Sequence, residues 1–211
     1  ANVIQAFGTA EQKQRFLPHM FSGRFSGTMA LTEPNVGSSL GDLTTKAIPQ
    51  ADGQYLIKGQ KMFISGGDQD ITENIVHLVL ARIQDAPQGV KGISLFIVPK
   101  FRTHLDGTLA EANDVQLAGL LHKMGYRGTT STVLNFGEQD TCLGYLIGEA
   151  GSGLKYMFKM MNEARVGVGL GAAMIGYRGY LESLKYAKQR PQGRLATEKN
   201  PNSKPVNIIE H

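Results

Sequence analysis

Along the 211 residues the spacing of apolar positions changes once, near Gly151. From Thr28 to about Gly148, short apolar runs alternate with turn residues, the pattern of an all-β unit. The runs predict strands at Thr28–Leu31, Thr44–Ile48, Tyr55–Gln60, Ile75–Ile83, Ile93–Val98 and Thr132–Phe136. Asp52-Gly53, Pro87-Gln88-Gly89 and Asp106-Gly107 punctuate them as turns. In the run from Ile75 to Leu80 only His77 is polar, which predicts a strand buried on both faces. A closed or nearly closed antiparallel barrel would remove the edges that such strands otherwise leave open.

After Gly151-Ser152-Gly153 the period becomes helical. Tyr156, Met157, Met160, Met161, Ala164 and Val168 keep it, and it persists through Met174, Ile175, Leu181, Leu184 and Tyr186 to Arg190. This predicts one helix of some ten turns, on the order of 55 Å long at 1.5 Å per residue. Its five glycines between Gly167 and Gly179 each cost about 1 kcal/mol against Ala in an isolated helix. They suit a face against which other helices pack. Pro191 ends the run, and Pro201 to Pro205 reads as a flexible segment. The chain opens inside another helical pattern, Glu11 to Leu17, and closes at Ile208-Ile209-Glu210-His211 with no stop signal. The expectation is an α+β fragment of a longer enzyme. Residues 1–27 would end an N-terminal helical domain, 28–150 form the barrel, and 151–211 begin a truncated C-terminal helical domain.

Composition narrows the function classes. An apolar fraction of 41% with 19% charged residues is globular, and no apolar run reaches the length of a membrane span. A net charge of +4, dispersed and not interleaved with aromatics, argues against nucleic acid. The lone cysteine, Cys142, cannot form an intramolecular disulfide and reads as a packed residue in a reducing compartment. His19, His77, His104, His122 and His211 lack metal-ligand spacing and read as structural or exposed.

Two runs carry candidate chemistry. Met29 to Leu40 places a short apolar strand ahead of Thr32, Glu33, Pro34 and the Gly37-Ser38 turn. It offers peptide groups, a hydroxyl, and a glycine that lets backbone approach a ligand. On its residues alone it is a polar turn with binding capacity, and a structural turn is the better reading. The second run, Gln60-Lys61-Met62-Phe63-Ile64-Ser65-Gly66-Gly67, changes that balance. The first matches T-E-P-x-x-G-S at Thr32, Glu33, Pro34, Gly37 and Ser38; the second matches G-x-K-x-[WF]-I-[ST] at Gly59, Lys61, Phe63, Ile64 and Ser65. In this the chain resembles the acyl-CoA dehydrogenases. The resemblance continues through Lys91 to Pro99, Lys123-Met124-Gly125-Tyr126-Arg127-Gly128, Leu146-Ile147-Gly148-Glu149 and Asn162-Glu163-Ala164-Arg165. It is nearest to an extended branch that includes 3-methylthiopropanoyl-CoA dehydrogenase.

The resemblance implies an FAD site. Reduction puts negative charge at the pyrimidine edge of the flavin and hydride at N5, so donors are needed at both and a flat apolar wall at the ring. By resemblance, Leu31 and Thr32 serve the pyrimidine edge, Phe63 lies on the ring with Ile64 beside it, and Ser65 reaches N5. Gly37 and Ser38 border the cofactor, Ser38 also the acyl-CoA. From residues alone, Phe63 and Ile64 would instead be core and Thr32 a strand cap. Relatives often carry Trp at Phe63 and Thr at Ser65, changes that keep a π face and a hydroxyl.

Gly167-Val168-Gly169-Leu170-Gly171-Ala172 fits G-x-G-x-x-A but sits within a helical run, not after a strand, and is no dinucleotide fingerprint. Arg190 lies 26 positions after Ala164, the interval of the family arginine that reaches the flavin pyrophosphate of a neighbouring subunit. The family's K-T-F-G that follows is replaced by Pro191-Gln192-Gly193-Arg194. Some branches carry the catalytic glutamate at the position of Ala164, which cannot take a proton. Glu163 is turned about 100° away and reads as a surface or pairing residue. No catalytic base is therefore expected before His211, and residues 1–211 alone are expected to be inactive. Arg165 resembles the family arginine that helps hold the CoA moiety, with Asn162 placed to contribute on the same turn.

The implied activity is α,β-dehydrogenation of an acyl-CoA, with electrons passed to an electron-transferring flavoprotein, by a cytoplasmic bacterial homodimer or homotetramer. The rival is a family member that has exchanged catalysis for DNA binding in the alkylation response, which needs a basic C-terminal surface. An interaction module using only the barrel would have no use for hydroxyls at Thr32 and Ser65.

Overall fold

The computed structural model describes all 211 residues and divides into two compact units, Ala1–Met160 and Met161–His211. The first unit opens with helices α1 (Asn2–Phe7) and α2 (Ala10–Phe21). Thr9 and Gln12 start α2 with a reciprocal capping box. Gln12 also donates to the carbonyl of Leu146 at 2.8 Å, tying α2 to the sheet.

Ten strands follow: β1 (Phe25–Ala30), β2 (Lys46–Pro49), β3 (Tyr55–Ser65), β4 (Asn74–Ile83), β5 (Ile93–Pro99), β6 (Phe101–Thr103), β7 (Leu109–Ala112), β8 (Val115–Leu120), β9 (Ser131–Phe136) and β10 (Leu143–Leu146). β6 and β7 form a separate two-stranded sheet. The expected barrel is present as the ring β4-β5-β10-β3-β2, which returns to β4. It closes through a short parallel pairing of β2 with β4, Lys46 opposite Arg82. β1 extends the sheet alongside β4, also in parallel.

β3 is long because it serves two partners on its β10 side. Its first half pairs with β2 and β10, its second half with β9, which continues to β8. Ala30, Ala47, Ile57, Ile64, Val79, Phe96, Val98, Leu134, Phe136 and Cys142 fill the core between these strands. β4 is buried from Asn74 to Ala81, as its run, apolar but for His77, predicts. Burial pushes the Cys142 thiol far above its ordinary range, so it is packing and not a nucleophile.

Four strands, β6, β7, β8 and β10, escaped the sequence pattern. β10 has only four residues including Gly144, and exists because it is paired on both sides. β8 is mostly exposed, and its register against β9 shifts between Leu117 and Gly119. The predicted start of β1 at Thr28 falls three residues late, and the predicted end of β3 at Gln60 falls five residues early.

Helix α3 (Gly153–Gln189) runs for 37 residues, the ten turns that its periodicity predicts, and the boundary between the units falls inside it. In the second unit it is exposed almost throughout, and a Cβ added at Gly167, Gly169, Gly171, Gly176 or Gly179 would meet open space. Past Pro191 the chain folds back through an isolated Pro191–Asn207 bridge, and the Ile208 N–H donates to the carbonyl of Arg190 at 2.9 Å. No helix is long and apolar enough to cross a membrane.

Candidate functional site

The two motifs meet where β1 ends and β3 bulges. The Met62 N–H donates to the Thr32 carbonyl at 2.9 Å, lashing the segment after β1 to the middle of β3. There the β3–β9 register shifts between Lys61 and Ile64. Phe63 takes a left-handed conformation, φ +60°, which a bulky residue adopts only under constraint. The extra residue reverses the ordinary alternation. Ile64 turns into the core at 2% exposure, while the Phe63 ring stands 61% exposed beside it.

That outcome divides two residues assigned to one role. Phe63 is not core: it is an outward aromatic face. Ile64 is core, its carbonyl accepts from the Thr132 hydroxyl at 3.0 Å, and its side chain offers nothing to a ligand. Ser65 ends β3 with its side chain exposed, just before the Gly66-Gly67 turn. Thr32 is partly exposed, and neither its N–H nor its hydroxyl is bonded within the chain. Gly37 and Ser38 lie exposed on the loop after the Glu33–Val36 turn. Arg82 holds that loop to β4 through the Gly41 carbonyl at 2.7 Å.

Below this surface lies an ion pair that the sequence pattern did not reveal. Lys61 is 0% exposed and Glu33 3%. The Lys61 ammonium donates to Glu33 Oε1 at 3.0 Å and to the Leu31 carbonyl at 3.1 Å. Glu33 also accepts from the Thr44 N–H (2.8 Å) and hydroxyl (2.6 Å), and from the Thr45 N–H (3.0 Å) and hydroxyl (2.5 Å). Burial pushes the Glu33 carboxyl upward, but the Lys61 charge and these donors outweigh it and hold it at about 2. Burial lowers Lys61 to about 8, with Glu33 opposing the fall. The lysine lies in an apolar stretch, Met62, Phe63 and Ile64, where a solvated lysine would be out of place. Together with an acid in the neighbouring motif, that was the available signal.

Gly59 belongs to the same brace. A Cβ there would sit 2.5 Å from the Thr45 hydroxyl and 2.8 Å from its Cα, so glycine lets the Thr45 segment close over Glu33. A Cβ at Gly37 would meet nothing. Of the two motif glycines, one is packing and one faces outward.

Other titratable groups do not converge here. His77 is fully buried, its Nδ1 2.7 Å from the Thr28 hydroxyl; burial and then the Lys100 charge lower it to about 3 despite Asp68. It is neutral at ordinary pH. No group of three or more His, Cys, Asp or Glu side chains converges to hold a metal. Asn162, Arg165 and Arg190, all exposed, belong to the second unit, whereas Leu31, Thr32, Phe63 and Ser65 belong to the first. Lys123 to Gly128 forms an exposed loop held by its own bonds, Arg127 to the Lys123 carbonyl at 2.8 Å and Lys123 to the Thr129 carbonyl at 2.7 Å.

Residues 28–138 match the family model of the acyl-CoA dehydrogenase middle domain. The chain is 46% identical over 215 residues to a butyryl-CoA dehydrogenase of Syntrophomonas wolfei, covering 99% of this chain and 35% of that protein. It is 45% identical over 210 residues to the 3-methylmercaptopropionyl-CoA dehydrogenase of Ruegeria pomeroyi, covering 100% and 35%. Among solved structures, an acyl-CoA dehydrogenase complexed with FAD from Bacillus anthracis superposes with a TM-score of 0.68 at 29% identity, covering 91% of this chain and 30% of that one. The chain thus spans about a third of the length of these relatives. It belongs to the acyl-CoA dehydrogenase family, and residues 28–138 correspond to the family's middle domain.

Proposed function

We propose that this chain forms the flavin-facing wall of an FAD-dependent acyl-CoA dehydrogenase that introduces an α,β double bond into an acyl-CoA thioester. The observation that carries the reading is the Phe63 bulge: a strained, outward aromatic fixed beside an unbonded Thr32 N–H and hydroxyl. A packing module gains nothing from that conformation. The residues fit the cofactor's needs. Phe63 supplies the apolar face, Leu31 and Thr32 supply donors for the pyrimidine edge, and the exposed Ser65 supplies a hydroxyl for N5. When bound, FAD supplies the hydride acceptor.

The chain's own residues then bind, orient and exclude water. Gly37 leaves backbone clear at the border between cofactor and acyl chain, and Ser38 offers a hydroxyl there. Asn162 and Arg165 hold the CoA, and Arg190 meets the flavin pyrophosphate of a neighbouring subunit with a permanent charge and a fork of donors. We assign the α-proton to a carboxylate outside residues 1–211, since Ala164 occupies the position where some branches carry it. Electrons leave to an electron-transferring flavoprotein, and the assembly is a cytoplasmic homodimer or homotetramer.

The test is reconstitution of the full-length protein with FAD. Thr32→Val and Ser65→Ala are each expected to weaken binding or slow flavin reduction by about tenfold or more, tenfold being a floor set below the roughly 100- to 1,000-fold cost of a whole oxyanion donor. Unchanged affinity and reduction in both variants would sink the assignment of this wall.

A further inference from the structure

The brace under the flavin wall does more than hold the fold. The carbonyl of Leu31 and the N–H of Thr32 are two ends of one peptide group. Lys61 donates to that carbonyl at 3.1 Å from a fully buried position, while the N–H, on the opposite edge of a trans peptide, points away from Lys61 and is unbonded within the chain. A cation on a peptide oxygen draws electron density through the amide and makes its N–H a stronger donor, an effect that burial enhances. The next peptide is fixed as well, because the Thr32 carbonyl accepts from Met62 at 2.9 Å. Glu33, one residue on, holds Lys61 at 3.0 Å and is itself gripped by Thr44 and Thr45.

Resting on the flavin reading above, we propose that Lys61 is a positioning residue: through the Leu31–Thr32 peptide it aims and strengthens the Thr32 N–H as a donor to the negative charge that reduction places on the flavin's pyrimidine edge. Lys61 touches neither cofactor nor substrate. Its effect is larger on the reduced flavin than on the oxidised one, because only the reduced form carries the charge. Glu33 keeps the ammonium protonated in its buried seat.

The test compares full-length wild-type protein with the Glu33→Gln/Lys61→Met double variant, both loaded with FAD. The variant removes both charges at nearly constant volume, so that neither charge is left stranded in the interior. Dissociation constants for oxidised and reduced FAD are measured for each. The expected result is a fall of about tenfold in the preference for reduced over oxidised flavin, smaller than the 100- to 1,000-fold cost of deleting a whole donor. A merely structural role would weaken both forms alike. An unchanged ratio beside wild-type flavin binding overturns the Lys61 inference alone; a wild-type protein that binds no FAD overturns the flavin reading with it. Crystals of the FAD-loaded wild-type protein need no variant. The Thr32 N–H should lie within about 3.2 Å of a pyrimidine-edge acceptor with Lys61 on the Leu31 carbonyl. Either contact missing overturns the proposal.

Discussion

Lys61→Met should destabilise the protein more than any surface change, and more than the double change Glu33→Gln/Lys61→Met. The single variant leaves the Glu33 carboxylate, 3% exposed, without its cation and the Leu31 carbonyl without its donor. Breaking a buried pair from one side costs about 3–5 kcal/mol. Four bonds from Thr44 and Thr45 remain on Glu33, which places the expected loss near the lower end, about 3 kcal/mol. In the double variant the one amide oxygen can accept from only one of the two threonines and the NH2 faces the other's N–H, but no charge is stranded, so a loss of about 2 kcal/mol is expected. Glu33→Gln alone strands Lys61 and should resemble Lys61→Met. Urea unfolding of all four proteins, followed by far-UV circular dichroism, closes the cycle. If the double variant loses the sum of the two single losses, the residues are not coupled and the brace does not exist.

Gly59→Ala should cost at least about 2 kcal/mol, because its Cβ meets the Thr45 backbone, whereas Gly37→Ala should stay within about 0.5 kcal/mol and show its effect only in ligand affinity; thermal melts with and without FAD separate them. Acid should destabilise in two windows. His77 is depressed from its ordinary 6.5 to about 3, so its contribution is complete above pH 6.5 and is lost at about 1.4 kcal/mol per pH unit as pH falls toward 3. Glu33, depressed from 4.5 to about 2, adds a loss below pH 4.5, and His77→Asn should flatten the first window only in a pH series of urea midpoints. Turnover of the full-length enzyme with a dye acceptor should survive Glu163→Gln; its disappearance would place the base on α3 after all.

The barrel was legible where burial is two-sided. β4 and β5 read straight from runs that are apolar but for one residue each, His77 in Ile75 to Ala81 and Ser94 in Ile93 to Val98, since both faces are buried. β10 was not, because Leu143–Leu146 is a strand only through its partners, far off in sequence. Both site motifs were visible, yet their inner logic was not. Phe63 and Ile64 are adjacent and were read alike, but a bulge set by the Thr32–Met62 bond sends one outward and the other inward. Left-handed φ at phenylalanine runs against its own preference, so no local pattern announces it. Lys61 was hidden for the opposite reason: lysine in a strand reads as solvent-facing, and its burial depends on Glu33, 28 residues earlier.

The central claim is that Leu31, Thr32, Phe63 and Ser65 form one wall of an FAD site. The most direct measurement is the visible spectrum of the purified full-length protein, before and after addition of FAD. The expected result is a yellow protein, or a colourless one that takes up FAD stoichiometrically, with Thr32→Val impairing that uptake or slowing the reduction of the bound flavin. A full-length protein that is colourless and cannot be reconstituted with FAD would contradict it.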